Sequence, residues 1–181
     1  MIVIQPDIID KIEDVFDRWI IDGIAKLSET KGVSLTFVLM VCAIDYLASF
    51  NYGGDTKRHA KEAYTDFLRE YKWFTKKYKP EDIYDSLRCG LVHNFTIIGG
   101  KYALTHKEPS RHRKTENIDG QKMIILNFKD FFEDFKRLKK EYFAKVRNPQ
   151  ENKTQNFLKR FGNMGFLLYI GGKKRAVKGE V

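Results

Sequence analysis

The segment Tyr84-Asp-Ser-Leu-Arg-Cys-Gly-Leu-Val-His-Asn94 sets an arginine, Arg88, and a histidine, His93, five positions apart. One is a planar cation with a fork of donors; the other titrates near neutral pH. Such a pair suits anion binding and proton transfer. The segment reads as a helix. At 100° per residue the two side chains start ~140° apart around the axis and ~7.5 Å along it. They can meet only by converging on a cleft across the helix's end. Gly90 lies between them and costs roughly 1 kcal/mol against alanine inside a helix. It would let another backbone or a neighbouring helix come close.

The elements around this segment follow from periodicity and turn residues. Pro6 and Asp7 open an amphipathic helix. Ile8, Ile12, Val15 and Trp19, with Ile9, Phe16, Ile20, Ile24 and Leu27 alongside, keep its helical period. Lys31-Gly32 punctuates before a near-continuously apolar helix from about Ser34 to Phe50, which reads as the centre of a bundle. Asn51-Tyr-Gly-Gly-Asp-Thr56 is a turn, and Asp55 or Thr56 would cap a third helix from about Lys57 to Tyr71. Pro80 with Glu81 and Asp82 starts the helix that carries Arg88 and His93. After it, residues 95–98 and 101–105 around Gly99-Gly100 predict a β-hairpin. Residues 106–120 read as a long polar loop, and 122–126 as a third strand. Asn127 caps a long helix to about Val146 with a broad phenylalanine face, suited to core or dimer packing, and Asn148-Pro149 closes it. A short helix near Lys153–Arg160, an apolar piece from Phe166 to Ile170, a Gly171-Gly172 turn and the basic tail Lys173-Lys174-Arg175 follow.

Arg88-Cys-Gly-Leu-Val-His93 resembles the R-x(4–6)-H motif of the HEPN superfamily, whose members are helical bundles of about this length. The resemblance covers roughly residues 7–146, with the motif its one sharp feature. It implies a mainly α, HEPN-like bundle with a small antiparallel β-hairpin or three-stranded insert after the motif helix. The domain would be residues 1–150, including an insert at about 95–126. Residues 151–181 would add a short helix/strand extension and basic tail. In catalytic members two subunits bring two motifs together, and the ribose 2′-hydroxyl attacks the adjacent phosphate without metal. Carried over by position, His93 would be the general base or acid and Arg88 would hold the phosphate and its developing charge. The resemblance thus implies a homodimer acting on RNA as a metal-independent endoribonuclease, or a non-catalytic RNA-, nucleotide- or protein-binding module of the same fold. It further implies a setting in defence, toxin–antitoxin or stress biology, with an antitoxin or another protein as partner. One departure bears on catalysis: Cys89 stands where active members often carry a small polar residue, and Asn94 supplies a polar neighbour only on the far side of His93.

Plainer roles compete for the same residues. Arg88 could pair with Asp85 or Asp45, and His93 could satisfy carbonyls at its helix's end. Asp45 interrupts an apolar helix, where an unpaired carboxylate is costly. It either pairs with Arg88 across the bundle or sits at the solvent edge. The loop Lys107-Glu-Pro-Ser-Arg-His-Arg-Lys114 could grip phosphates through Lys107, Arg111, Arg113 and Lys114, or be solvated and mobile. His106 and His112 match no standard zinc spacing and no cysteine joins them, so no metal is expected. No cofactor is called for, and no Ser-His-Asp or Cys-His arrangement is visible.

Composition sets the class. The chain has 181 residues, 43% apolar and 14% aromatic, enough for one domain with a real core. Two cysteines, Cys42 and Cys89, make no disulfide framework, and residues 1–6 lack the pattern of a secretory signal. A cytoplasmic protein is therefore expected. The uninterrupted apolar run from Phe37 to Ile44 is short of the ~20 residues that span a bilayer, so no membrane partner is expected. Residues 1–56 hold 4 Lys/Arg against 9 Asp/Glu, while the remainder holds 29 against 15, giving a net +9. That basic majority admits a polyanionic partner, RNA first.

Overall fold

The apolar period of the first stretch folds as α1, residues 6–28. The computed structural model of the chain describes residues 6–30, 33–107, 109–148, 150, 152–164, 166–170 and 173–177. Within α1, a π-helical turn at Asp17–Ile21 separates Pro6–Phe16 from Asp22–Ser28. Ile9, Ile12, Phe16 and Ile24 are buried, but Trp19, expected on the same stripe, is 57% exposed. The wider turn shifts the register, so Trp19 rotates off the buried face.

The apolar helix α2, Val33–Tyr52, is long and apolar enough to cross a membrane by length and composition, yet 56% of that window is buried inside the fold. It lies against α1 and every later long helix. Phe37, Met40, Val41, Ile44, Leu47 and Phe50 all reach the core. Its hydrophobicity is thus used on several sides at once, as in the core helix of a soluble protein.

The third helix begins later than the turn residues predict. Asp55 accepts the Lys57 N–H (3.0 Å) within the turn, and α3 runs Ala60–Arg69. A single turn, α4 (Lys72–Thr75), leads to α5, residues 80–94. Pro80 stands in the first turn of α5, as expected.

The expected hairpin around Gly99-Gly100 does not form. Ile98–Gly100 is a 3₁₀ turn. The sheet is mixed rather than antiparallel, with order β1-β3-β2. In it β1 (Tyr102–Thr105) runs parallel to β3 (Gln121–Asn127), and β2 (Thr115–Ile118) runs antiparallel to β3. The tight turn is Asp119-Gly120, with φ of +51° and +82°; Asp-Gly with both angles positive is the pairing that favours a two-residue hairpin. Residues 95–98 are occupied elsewhere. They fold back over Gly90, where a β-carbon would lie 2.3 Å from the Thr96 carbonyl oxygen.

Asn127 caps α6 (Phe128–Val146) as predicted, its side chain accepting the Lys129 N–H at 2.9 Å. Phe128, Phe131, Phe132, Phe135, Leu138 and Tyr142 are buried, so this face belongs to the core and not to a second subunit. The terminal helix α7, Asn152–Met164, packs into the same core: Phe157 is buried with ring centroids 4.9 Å from Phe50 and 6.0 Å from Phe143. Residues expected as an apolar piece and a basic tail pair as an antiparallel hairpin, β4 (Phe166–Ile170) and β5 (Lys173–Val177). The breaks expected at Lys31-Gly32, Pro149 and Gly171-Gly172 lie outside the described residues. The fold is mainly α, with seven helices among the described residues and a small three-stranded sheet inserted between α5 and α6.

Candidate site around Arg88 and His93

The middle of α5, Ile83–Cys89, is π-helical, flanked by α-helical Pro80–Asp82 and Gly90–Asn94. A π turn closes by i→i+5 hydrogen bonds. It carries residues five apart closer to one face than a helix of 3.6 residues per turn does. The π turn ends at Cys89 and the span from Gly90 to His93 is α-helical, so Arg88 and His93 meet through the reach of their side chains: Arg88 Nη1 lies 3.1 Å from His93 Nε2. Arginine can only donate, so Nε2 is the acceptor in this contact and the ring proton is on Nδ1.

The other edge of the guanidinium is held by α2. Arg88 Nε and Nη2 donate to Asp45 Oδ2 at 3.1 and 2.6 Å. The guanidinium lies 5.4 Å from the Tyr84 ring centroid, one turn earlier on α5. The Arg88 and Asp45 side chains are 18% and 29% exposed, whereas His93 is open to solvent. Burial works against the arginine's charge, but the Asp45 hydrogen bonds and charge outweigh it and hold the Arg88 pKa above its ordinary value. A row Asp45–Arg88–His93 therefore runs from half-buried carboxylate to exposed imidazole.

Beside this row opens a cleft of about 630 Å³, bounded by Asp45 and Arg88, by the turn residues Asp55, Thr56 and Lys57, and by Arg160 of α7. Gly53 makes that meeting of segments possible. Its φ is +74°, and a β-carbon there would stand 2.7 Å from the Asn156 backbone. The close approach lets Asn156 donate to the Asn51 carbonyl (2.8 Å) and Arg160 Nη1 to the Gly54 carbonyl (2.9 Å).

The remaining expected residues separate from this row. Asp85 pairs with Lys61 at 2.7 Å, not with Arg88, and both side chains are about half exposed. Asn94 is exposed at the end of α5. Lys107, Arg113 and Lys114 are exposed, Arg111 is engaged by Glu116 (Nε to Oε1, 2.8 Å), and none of the four lines the cleft. Among the described residues no group of three or more His, Cys, Asp or Glu could hold a metal ion.

Sequence reasoning missed two things. Lys57 and Arg160 reach one cleft from segments a hundred positions apart, which no local pattern signals. His112 is a structural hub: its Nδ1 accepts the Asn127 N–H (3.1 Å), so its Nε2 carries the proton and faces Tyr78 Oη at 2.9 Å. Tyr78 in turn donates to Asp134 (2.7 Å), which Lys77 also binds. Burial lowers the His112 pKa, outweighing the charges of Asp130 and Asp134. Asp134 amid the phenylalanines of α6 was the available signal, since a carboxylate there requires partners.

No family model, curated protein or solved structure matches this chain. The site's meaning therefore rests on its own geometry.

Proposed function

We propose that this chain is a HEPN-like cytoplasmic protein that acts on RNA as a homodimer, cutting it without metal through Arg88 and His93. The observation that carries the reading is the 3.1 Å contact between Arg88 Nη1 and His93 Nε2, with Arg88 also lining a cleft of three cations and two carboxylates. Asp45 occupies Nε and Nη2, which leaves Nη1 as the donor edge for a substrate. A phosphate oxygen arriving there takes over the Nη1 hydrogen bond and releases the Nε2 lone pair. His93 then removes the 2′-hydroxyl proton as O2′ attacks phosphorus. The P–O5′ bond breaks, leaving a 2′,3′-cyclic phosphate and a 5′-hydroxyl. The second copy's His93, entering the step as imidazolium, gives its proton to the departing O5′ and is left neutral, while Arg88 stabilises charge on the non-bridging oxygens. An antitoxin or other protein partner fits the same reading, since such an activity requires restraint in its own cell.

A second reading, a non-catalytic RNA-, nucleotide- or protein-binding module, is favoured by the two bonds that tie Arg88 to Asp45 and by Cys89 after the arginine. Incubation with mixed single-stranded and structured RNAs in EDTA separates the two. The ribonuclease reading expects cutting to cyclic-phosphate ends that Arg88→Ala, Arg88→Lys and His93→Ala each reduce at least ~100-fold in folded protein. No cutting by the wild type would leave the binding module.

A further inference from the structure

The cleft behind Arg88 holds more positive charge than the Arg88–His93 pair requires. Lys57, Arg88 and Arg160 face it, against Asp45 and Asp55. Asp45 is taken up by Arg88, and one oxygen of Asp55 accepts the Lys57 backbone N–H. Lys57 itself is exposed and has no ion pair among the described residues. Arg160 spends Nη1 on the Gly54 carbonyl and its Nε is buried, which leaves Nη2 as the donor without a protein partner among the described residues. A guanidinium carries five donors in a fixed fork, so Arg160 lines this cleft with the Nη2 edge still to offer.

We infer that this cleft is a subsite for a backbone phosphate of single-stranded RNA next to the one held by Arg88, bound by Lys57 and Arg160. The inference rests on the reading of the Arg88–His93 pair as an RNA site. It names which strand neighbour that site takes and which residues take it. Three observations favour a strand over a free phosphate ion. At about 630 Å³ the cleft is far larger than one phosphate and falls in the range of sites for nucleotide-sized ligands. Arg88 lines the cleft and also touches His93, so a chain can run continuously from one to the other. Phe95, two residues beyond His93, is 76% exposed, the kind of aromatic surface on which unpaired bases stack.

The test is equilibrium binding of a fluorescent 2′-O-methyl oligoribonucleotide of about twelve nucleotides, which cannot be cut, over a range of salt concentrations. Wild type is compared with Lys57→Gln and Arg160→Gln; Lys57 makes no ion pair among the described residues, so its neutral variant reports on the cleft without disturbing the fold. Each variant is expected to bind about tenfold more weakly. Each is also expected to lower the slope of log affinity against log salt by roughly 0.7, the value for one phosphate contact on a single strand. Wild-type affinity and slope in both variants would overturn the subsite, even if the wild type cuts RNA. No binding of the oligonucleotide by the wild type would overturn it too, as would a free mononucleotide that competes as strongly as the strand. Conversely, a wild type that never cuts RNA but shows the Lys57 and Arg160 dependence would retain the subsite and remove the ribonuclease reading.

Discussion

Arg88 spends two of its donors on a single oxygen of Asp45, at 2.6 and 3.1 Å, and turns a third toward His93. The carboxylate therefore sets the guanidinium plane, and the plane sets where the imidazole can rest. Asp45→Asn keeps the shape but removes the charge. Its amide oxygen can still accept both hydrogen bonds, yet the half-buried cation loses its counter-ion. A loss of about 1–3 kcal/mol is expected from urea unfolding, and on the proposed ribonuclease reading RNA cleavage is expected to fall further than stability accounts for. Unchanged stability and unchanged activity would show that Asp45 positions nothing.

Gly90→Ala reverses the usual propensity argument. Alanine is better than glycine in a helix by roughly 1 kcal/mol, but here a β-carbon would sit 2.3 Å from the Thr96 carbonyl oxygen and 2.9 Å from the Ile98 nitrogen. Both are backbone atoms and cannot swing aside. The expected result is a net loss of about 2 kcal/mol or more in thermal or denaturant unfolding, with residues 95–98 exchanging their amide hydrogens faster. A stabilised variant would contradict the packing described.

Phe95 takes φ of +51° at the end of α5 while 76% of it faces solvent. That conformation usually falls to glycine at a helix's end, and a large side chain there is a local cost without burial in return. Phe95→Gly is therefore expected to raise stability by about 0.5–1 kcal/mol and to weaken binding of single-stranded RNA several-fold. A variant that gains stability and binds as before would leave the exposed ring without a role in RNA contact.

His112 makes stability depend on pH. Burial lowers its pKa from the ordinary value of 6.5. Between the lowered and ordinary values the unfolded chain binds a proton that the folded chain does not, so stability rises with pH across that interval. The full contribution is present above 6.5 and is lost as pH falls through the folded value. Protonated Nδ1 would also face the Asn127 N–H, donor against donor, at the cap of α6. Urea midpoints measured from pH 7.5 to 5 should fall for the wild type, with a slope of up to about 1.4 kcal/mol per pH unit. They should fall less for His112→Gln. Parallel curves would remove His112 as the source.

Periodicity and capping made most of the helices legible: the acid-rich first helix, the apolar centre, Pro80 at the start of α5 and Asn127 at the start of α6 all reflect local chemistry. The cost of burying a carboxylate in α2 also made the Asp45–Arg88 pair legible, because Asp45 needed a cation and Arg88 stood on the neighbouring motif helix. What escaped was non-local or irregular. A π turn has no distinct residue pattern, so the exposure of Trp19 lay outside a 3.6-residue analysis. The parallel pairing of β1 with β3 depends on residues some twenty positions apart, and the Asp119-Gly120 turn was masked by the polar stretch around it. Lys57 and Arg160 share a wall only because Gly53 lets α7 approach.

Because α7 completes that wall, the order of synthesis matters. Asp45, Arg88 and His93 have all been made well before Arg160, which follows His93 by 67 positions. A nascent chain still lacking α7 carries the Arg88–His93 pair but not the groove beside it. The Lys57–Arg160 side of the groove thus matures last of these parts, only after α7 has been made and has docked against the Asn51–Gly54 turn.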